Sequence, residues 1–90
     1  MKRYFRAEGD SRYSDTQLGV SYYEFDGQYC TRQIDLDGDV REYFEQHIGS
    51  EPPNRNMLDK PLSSILTSDA EEITAHEFEA VWNKVSKGEI

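Results

Sequence analysis

Cysteine, clustered glycine and long apolar runs are scarce in this chain, and each scarcity excludes a class of protein. Cys30 is the only cysteine among the 90 residues, so an intramolecular disulfide is excluded and we expect a reducing, cytoplasmic location. Polar residues interrupt every apolar run, and the initial Met-Lys-Arg-Tyr-Phe-Arg does not resemble a signal peptide. We therefore expect no spanning helix and no membrane partner. The six glycines are scattered singly, which excludes a glycine-rich phosphate-binding loop.

Metal ligands do not occur at recognised spacings. Asp35, Asp37 and Asp39 invite a calcium interpretation, but an EF-hand loop counted from Asp35 needs glycine and glutamate where Val40 and Gln46 stand. We therefore expect no metal and no other cofactor.

The residues available for nucleophilic catalysis are Cys30, His47 and His76, since the sequence has no other cysteine or histidine. They lack the CxxC or HxxxH spacing of a zinc site. A small enzyme that uses Cys30 with one of the histidines is one alternative, because such partners meet only in the fold. Cys30 lies on the predicted core face, however, where thiolate formation is disfavoured, so we expect no enzymatic activity.

Acidic residues outnumber basic residues in this chain. Ten Lys and Arg against eighteen Asp and Glu give a net charge of −8, and residues 1–12 hold four basic and two acidic side chains, so the remainder carries six against sixteen, a net −10. Such a chain is repelled by nucleic-acid phosphates and anionic membranes and attracted to basic protein surfaces. The alternative explanation of the charge is solubility alone.

The clearest helix lies near the C-terminus. Thr74 and Glu77 have the spacing of a capping box, and Ile73 and Phe78 have that of a hydrophobic staple. Gly88 is placed to end the helix. One apolar stripe recurs at helical spacing and has to be buried. It comprises Phe78, Val81, Trp82 and Val85.

Two Asp-Gly pairs, Asp26-Gly27 and Asp37-Gly38, separate runs rich in β-forming residues. Asp-Gly in this setting is a strong signal of a β-hairpin. We expect an antiparallel meander of three strands, with an N-terminal run as the fourth. The predicted strands are residues 3–7, 18–25, 28–36 and 39–44.

The remaining segments complete the predicted fold. Residues 8–17 and 47–60 are polar or rich in glycine and proline and are typical of loops. A short helical turn is predicted near residues 61–67, since proline is tolerated at a first helical position. The prediction is a single α+β domain over residues 1–90, with a three- to four-stranded antiparallel sheet packed on one C-terminal α-helix.

A two-residue turn at Asp26-Gly27 would pair Tyr23 with Cys30 and so assigns side chains to faces. The face predicted to carry the helix comprises Tyr23, Phe25, Cys30, Ile34, Val40 and Phe44. The opposite face, the candidate surface, comprises Val20, Tyr22, Tyr29, Thr31, Gln33, Arg41 and Tyr43.

Three motifs together carry a resemblance to a known group of proteins. They are the strand and turn over residues 32–40, the Lys60-Pro61-Leu62 step and the terminal segment over residues 72–82. The chain resembles short bacterial and phage-borne proteins of unassigned function that end in an E-I-x-x-x-E-F-E-x-x-W helix after a small sheet. The resemblance implies an α+β fold and supplies no catalytic residues. Small proteins of this kind often serve as immunity proteins or as inhibitors of host defence.

Charge and resemblance lead to our functional hypothesis, a non-enzymatic inhibitor of the immunity or anti-defence type. Its carboxylates mask a basic protein, such as a nuclease or another nucleic-acid-binding enzyme, and exposed tyrosines anchor the complex. The alternative is a homodimeric interaction module whose tyrosine face or sheet edge pairs with its own copy, so the protein is expected to be a monomer or a homodimer. The candidate partner-binding residues are Tyr22, Tyr29, Tyr43, Asp35, Asp37, Asp39, Glu42, Glu71, Glu72 and Glu79.

Overall fold

The structure, a computed structural model, is an antiparallel sheet with helical segments on both faces. It describes residues 1–10, 18–38, 40–46, 58 and 60–89, without the side chains of residues 10 and 18. The α+β class, the predicted N-terminal strand and the two predicted helical segments are confirmed. The described elements are β1 Lys2–Asp10, β2 Leu18–Asp26, β3 Tyr29–Asp37, β4 Val40–Glu45, α1 Leu62–Leu66, β5 Glu71–Ile73 and α2 Ala75–Ser86.

The strand order is β4-β3-β2-β1-β5, and every neighbouring pair is antiparallel. The structure has two features that were not predicted. β1 continues to Asp10, so residues 8–10 of the expected loop are strand. A fifth strand, Glu71–Ile73, pairs with β1 through Tyr4 opposite Ile73. Glutamate has low β-propensity, so this pairing depends on the neighbouring strand and not on a local signal.

The register between β2 and β3 differs from the predicted one. Asp26 pairs with Tyr29 and Phe25 with Cys30, after which the register shifts and Glu24 pairs with Arg32. Thr31 is therefore the extra residue of a β-bulge. The prediction that Tyr23 pairs with Cys30 is wrong. The turn lies at Gly27-Gln28, one residue later than predicted, and the bulge adds one residue to β3.

The bulge separates residues that were predicted to share one face. α2 packs on the face that carries Tyr22, Ile34 and Tyr43, where Ile34, Phe78 and Val85 are buried. Complete burial of a side chain such as Phe78 contributes about 1.5–3 kcal/mol to stability. The predicted position of the helix, on the face of Cys30, is wrong.

α1 packs on the other face of the sheet. Phe5, Phe25 and Cys30 are buried together with Leu62 and Ile65 of α1. Tyr23 and Phe44 pack at the margin of this cluster. The sheet therefore lies between α2 on one face, which we call the α2 face, and α1 on the other, which we call the α1 face.

The predicted boundaries of the C-terminal helix are confirmed. The Thr74 hydroxyl accepts a hydrogen bond from Glu77 N at 3.1 Å. Gly88 has φ of +72°, its N–H donates to Val85 O, and Glu89 N donates to Lys84 O at 2.8 Å. These two bonds form a Schellman motif, in which glycine adopts the left-handed conformation at no steric cost. Within the described part of the chain, neither helix is long and apolar enough to cross a membrane.

Candidate functional site

A cleft of about 240 Å³ opens on the sheet at the end of the strands remote from α1. Its walls come from the ends of β1, β2, β3 and β4, and Gly9, Gly19, Ser21 and Tyr23 contribute to the lining. No Lys, Arg or His is among the described residues that line it. The acidic residues that line it are Glu8, Asp35, Asp37 and Glu42. We call this site the acidic cleft.

Asp35 is held in place on the floor of the acidic cleft. It is 5% exposed, and its Oδ1 accepts a hydrogen bond from Ser21 Oγ at 2.8 Å. Gln33 Nε2 donates to both of its carboxylate oxygens at 3.1 Å. Gln33 is in turn fixed, because its Oε1 accepts from Leu58 N at 2.7 Å. These bonds orient the carboxylate before any ligand is present.

Asp37 lies beside Asp35 and is 8% exposed. Its carboxylate lies above Gly19 of β2, where an added Cβ would be in ordinary van der Waals contact with Asp37 Oδ2 at 3.4 Å. Glu42 on β4 pairs with Asp35 across the ladder and is half-buried. Three carboxylates from two strands, those of Asp35, Asp37 and Glu42, therefore line one cavity.

A second polar cluster lies beneath α2. Glu24 is 2% exposed and accepts hydrogen bonds from Thr31 Oγ1 at 2.8 Å and from Arg32 Nη2. Arg32 also binds Glu79 of α2. Burial opposes ionisation of Glu24, but the hydrogen bonds from Arg32 and Thr31 and the charges of Arg32 and Lys2 outweigh it and lower the pKa of Glu24. We call Glu24, Arg32 and Glu79, the last with its side chain 45% exposed, the Arg32 ion cluster.

Aromatic rings complete the surroundings of Arg32. Its guanidinium carbon lies 4.9 Å from the ring centroids of both Phe78 and Trp82, a geometry of favourable cation–π contact. Burial lowers the pKa of Arg32, but its hydrogen bonds to Glu24 and Glu79 have the larger combined effect and raise it. The sequence does not predict this cluster, since Glu24 within a tyrosine-rich strand carries no signal of burial.

The three candidate tyrosines do not form one surface. Tyr22 is half-buried and packs in the core beneath α2. Tyr29 is 63% exposed next to the β2–β3 turn. Tyr43 is 47% exposed on β4, and its ring meets Trp82 edge-on with a centroid separation of 5.4 Å. The half-polar, tyrosine-rich face was predicted to be an open surface. In the structure it is largely the face on which α2 packs.

The candidate carboxylates are likewise divided among separate places. Glu71 and Glu72 are exposed on β5, and Glu72 is engaged by Arg3 through hydrogen bonds of 2.9 and 2.7 Å. Glu79 belongs to the Arg32 ion cluster, and Asp39 lies outside the described residues. Only Asp35, Asp37 and Glu42 of the predicted set meet in one site, the acidic cleft.

Cys30 lies in the core, where it is 3% exposed. Burial, together with the charge of Glu24, raises the pKa of this thiol to about 12. The thiol is therefore protonated at neutral pH and is a poor nucleophile. His76 is exposed on α2, and His47 lies outside the described residues. Within the described ranges, no group of three or more His, Cys, Asp or Glu side chains is arranged to hold a metal ion.

Comparison with other proteins does not place the chain in a family. No protein-family model matches it, and a search of curated proteins returns no similar sequence.

Proposed function

We propose that this protein is a non-enzymatic inhibitor that binds a basic protein through the acidic cleft. The observation that carries the proposal is the convergence of Asp35, Asp37 and Glu42 on a cavity with no basic side chain among its described lining residues, in a chain of net charge −8. An arginine or lysine side chain of the partner is the ligand that fits this charge. The net charge steers the encounter, and the cleft supplies the specific contact.

The geometry of the cleft supports recognition of a cation. The hydrogen bonds from Ser21 and Gln33 orient Asp35 in advance, so little conformational freedom is lost when a ligand binds. Glu42 is half-buried on β4 and is accessible to an incoming side chain. Charge-assisted hydrogen bonds to arginine are stronger than neutral ones, and two carboxylate oxygens match the guanidinium fork.

The class of partner follows from the same chemistry. Proteins that bind nucleic acid present arginine and lysine to phosphate oxygens, and carboxylates on this chain take the place of those phosphates. The partner we propose is therefore a nuclease or another nucleic-acid-handling enzyme, masked by an inhibitor of the immunity or anti-defence type. The resemblance to short bacterial and phage-borne proteins supports this role.

The test uses an oligoarginine peptide titrated into the isotope-labelled protein and followed by NMR. We expect chemical-shift changes concentrated at Gly9, Gly19 and Ser21, which line the cleft. Glu42→Gln should weaken binding by about threefold, the effect of one partly exposed charge. Glu89→Gln removes the same charge from an exposed position on the C-terminal side of α2 and should leave the affinity nearly unchanged. Shift changes spread over the whole acidic surface, with equal effects of both variants, would show that the peptide senses net charge only and would contradict the proposal.

A further inference from the structure

Among the residues that the structure describes, β4 forms one edge of the sheet. Within the described chain β4 has a strand neighbour on one side only, since it ends the order β4-β3-β2-β1-β5. Its side chains alternate between half-buried and exposed. The exposed ones, Arg41, Tyr43 and Glu45, project on the α2 face, because Tyr43 pairs with Ile34. An open edge is a template for pairing with another chain.

The backbone of β4 is oriented for such pairing at the same three residues. Gln46 N donates to Thr31 O on β3 at 3.0 Å. Backbone groups of an antiparallel strand point alternately to its two sides, so the even-numbered residues face β3. Arg41, Tyr43 and Glu45 therefore direct their N–H and C=O groups away from the sheet, toward a potential partner strand.

We propose that two copies of this protein pair antiparallel through β4, with Tyr43 on the two-fold axis. In this register Arg41 of each copy lies opposite Glu45 of the other. The sequence Arg-Glu-Tyr-Phe-Glu over residues 41–45 is thus complementary in charge to itself. Opposite charges directly across a strand pair stabilise it. The product joins the described five-stranded sheets of the two copies into one continuous sheet, and the occupant of the edge is a second copy of the chain.

Charge also selects this register over its neighbours. A shift that places Glu42 on the axis sets Glu42 against Glu42, and like charges directly opposite are destabilising. The opposite shift places Phe44 on the axis and sets Tyr43 against Glu45, which leaves Arg41 without Glu45 as a partner. Only the register centred on Tyr43 forms both Arg–Glu pairs.

The other edge of the sheet does not share this property. β5 consists of Glu71, Glu72 and Ile73, and antiparallel pairing of this strand with itself about its centre sets Glu72 against Glu72. β5 contains no basic residue, so pairing of this edge with its own copy forms no Arg–Glu pair within the strand, whereas pairing through β4 forms two. In the dimer the two half-exposed Tyr43 rings adjoin, each already in contact with Trp82 of its own copy.

This inference does not rest on the proposed function. The dimer uses side chains on the α2 face of β4, whereas the acidic cleft is built on Asp35, Asp37 and Glu42. Pairing leaves one cleft on each side of the junction, both on the same face of the continuous sheet. Failure of the dimer test leaves the cation-binding test intact, and the reverse also holds.

Sedimentation equilibrium over a range of protein concentrations tests the dimer. We expect the wild type to shift from the monomer mass of 10.5 kDa to twice that mass. Arg41→Glu and Glu45→Arg each replace two attractive pairs by two repulsive ones and should raise the dissociation constant about tenfold or more. Glu89→Arg makes the same charge change as Glu45→Arg away from β4 and should dimerise like the wild type. Circular dichroism checks that each variant is folded.

A mixture of the two single variants provides the sharpest test. Arg41→Glu presents only carboxylates at positions 41 and 45, and Glu45→Arg presents only guanidinium groups. Each variant alone should dimerise more weakly than the wild type, and the equimolar mixture should form a heterodimer as readily as the wild type dimerises. A wild type that sediments as a monomer at every concentration overturns the proposal. So does a dimer whose dissociation constant is unaffected by both substitutions, because it must then form through another surface.

Discussion

Glu24 and Arg32 lie opposite one another across β2 and β3 and form an ion pair beneath α2. The β-bulge at Thr31 creates this relationship, since without the extra residue Glu24 would face a different position. Glu24 is 2% exposed and the Arg32 side chain 13%. Charges removed from water to this degree stabilise a fold only when they are fully paired.

Substitution Glu24→Gln should therefore be strongly destabilising. It leaves Arg32 buried with Glu79 as its remaining carboxylate, and loss of one partner of a buried pair costs about 3 kcal/mol. Urea denaturation followed by circular dichroism measures the free energy of unfolding. Glu72→Gln breaks the exposed pair with Arg3 and should have a much smaller effect, because water screens that pair. Equal losses in the two variants would show that the buried pair of Glu24 and Arg32 contributes no more than a surface pair.

The lowered pKa of Glu24 predicts a dependence of stability on pH. A carboxyl whose folded pKa lies below its ordinary value of 4.5 contributes stability above 4.5, and this contribution is lost as the pH falls through the folded pKa. The free energy of unfolding of the wild type should decrease over this acid range. The free energy of unfolding of the Glu24→Gln variant should decrease less steeply, since the titrating group is absent. Parallel pH profiles of the two proteins would contradict the assignment.

The Cys30 thiol should be inert in the native state. Its burial and its pKa of about 12 leave almost no thiolate at neutral pH, and the thiolate is the reactive form. Iodoacetamide followed by mass spectrometry should modify the protein in denaturant and leave the native protein unmodified. Rapid alkylation of the native protein would instead favour the alternative of a cysteine-dependent enzyme.

The N-cap of α2 should contribute measurably to stability. Thr74→Ala removes the hydroxyl that accepts from Glu77 N, at a cost of about 1 kcal/mol. Thr74→Ser keeps that hydroxyl and serves as the matched control. The midpoint of thermal unfolding should fall for the alanine variant and stay near the wild-type value for serine. A similar decrease of the midpoint in both variants would show that the methyl group of Thr74, and not its hydroxyl, contributes the stability.

Predictions from local sequence signals agree with the structure. The two helical segments, the N-terminal strand and the hairpin-connected strands β2, β3 and β4 follow from capping residues, Asp-Gly turns and side-chain periodicity. Each of these signals acts over a few residues, so its consequence does not depend on the rest of the chain. The acidic cleft was predicted only as a set of carboxylates, of which Asp35, Asp37 and Glu42 meet there.

Predictions of register and of sheet faces required information that no short segment contains. A shift of one residue exchanges the two faces of a strand, and the bulge at Thr31 produces such a shift. It places Ile34 beneath α2 and Cys30 beneath α1, although the turn signal alone assigns both to one face. The pairing of Glu71–Ile73 with β1 is equally non-local. The sequence by itself determined the helices and four of the five described strands, because turns and caps are local. The tertiary structure decided which side chains are buried together, because that depends on pairing between distant strands.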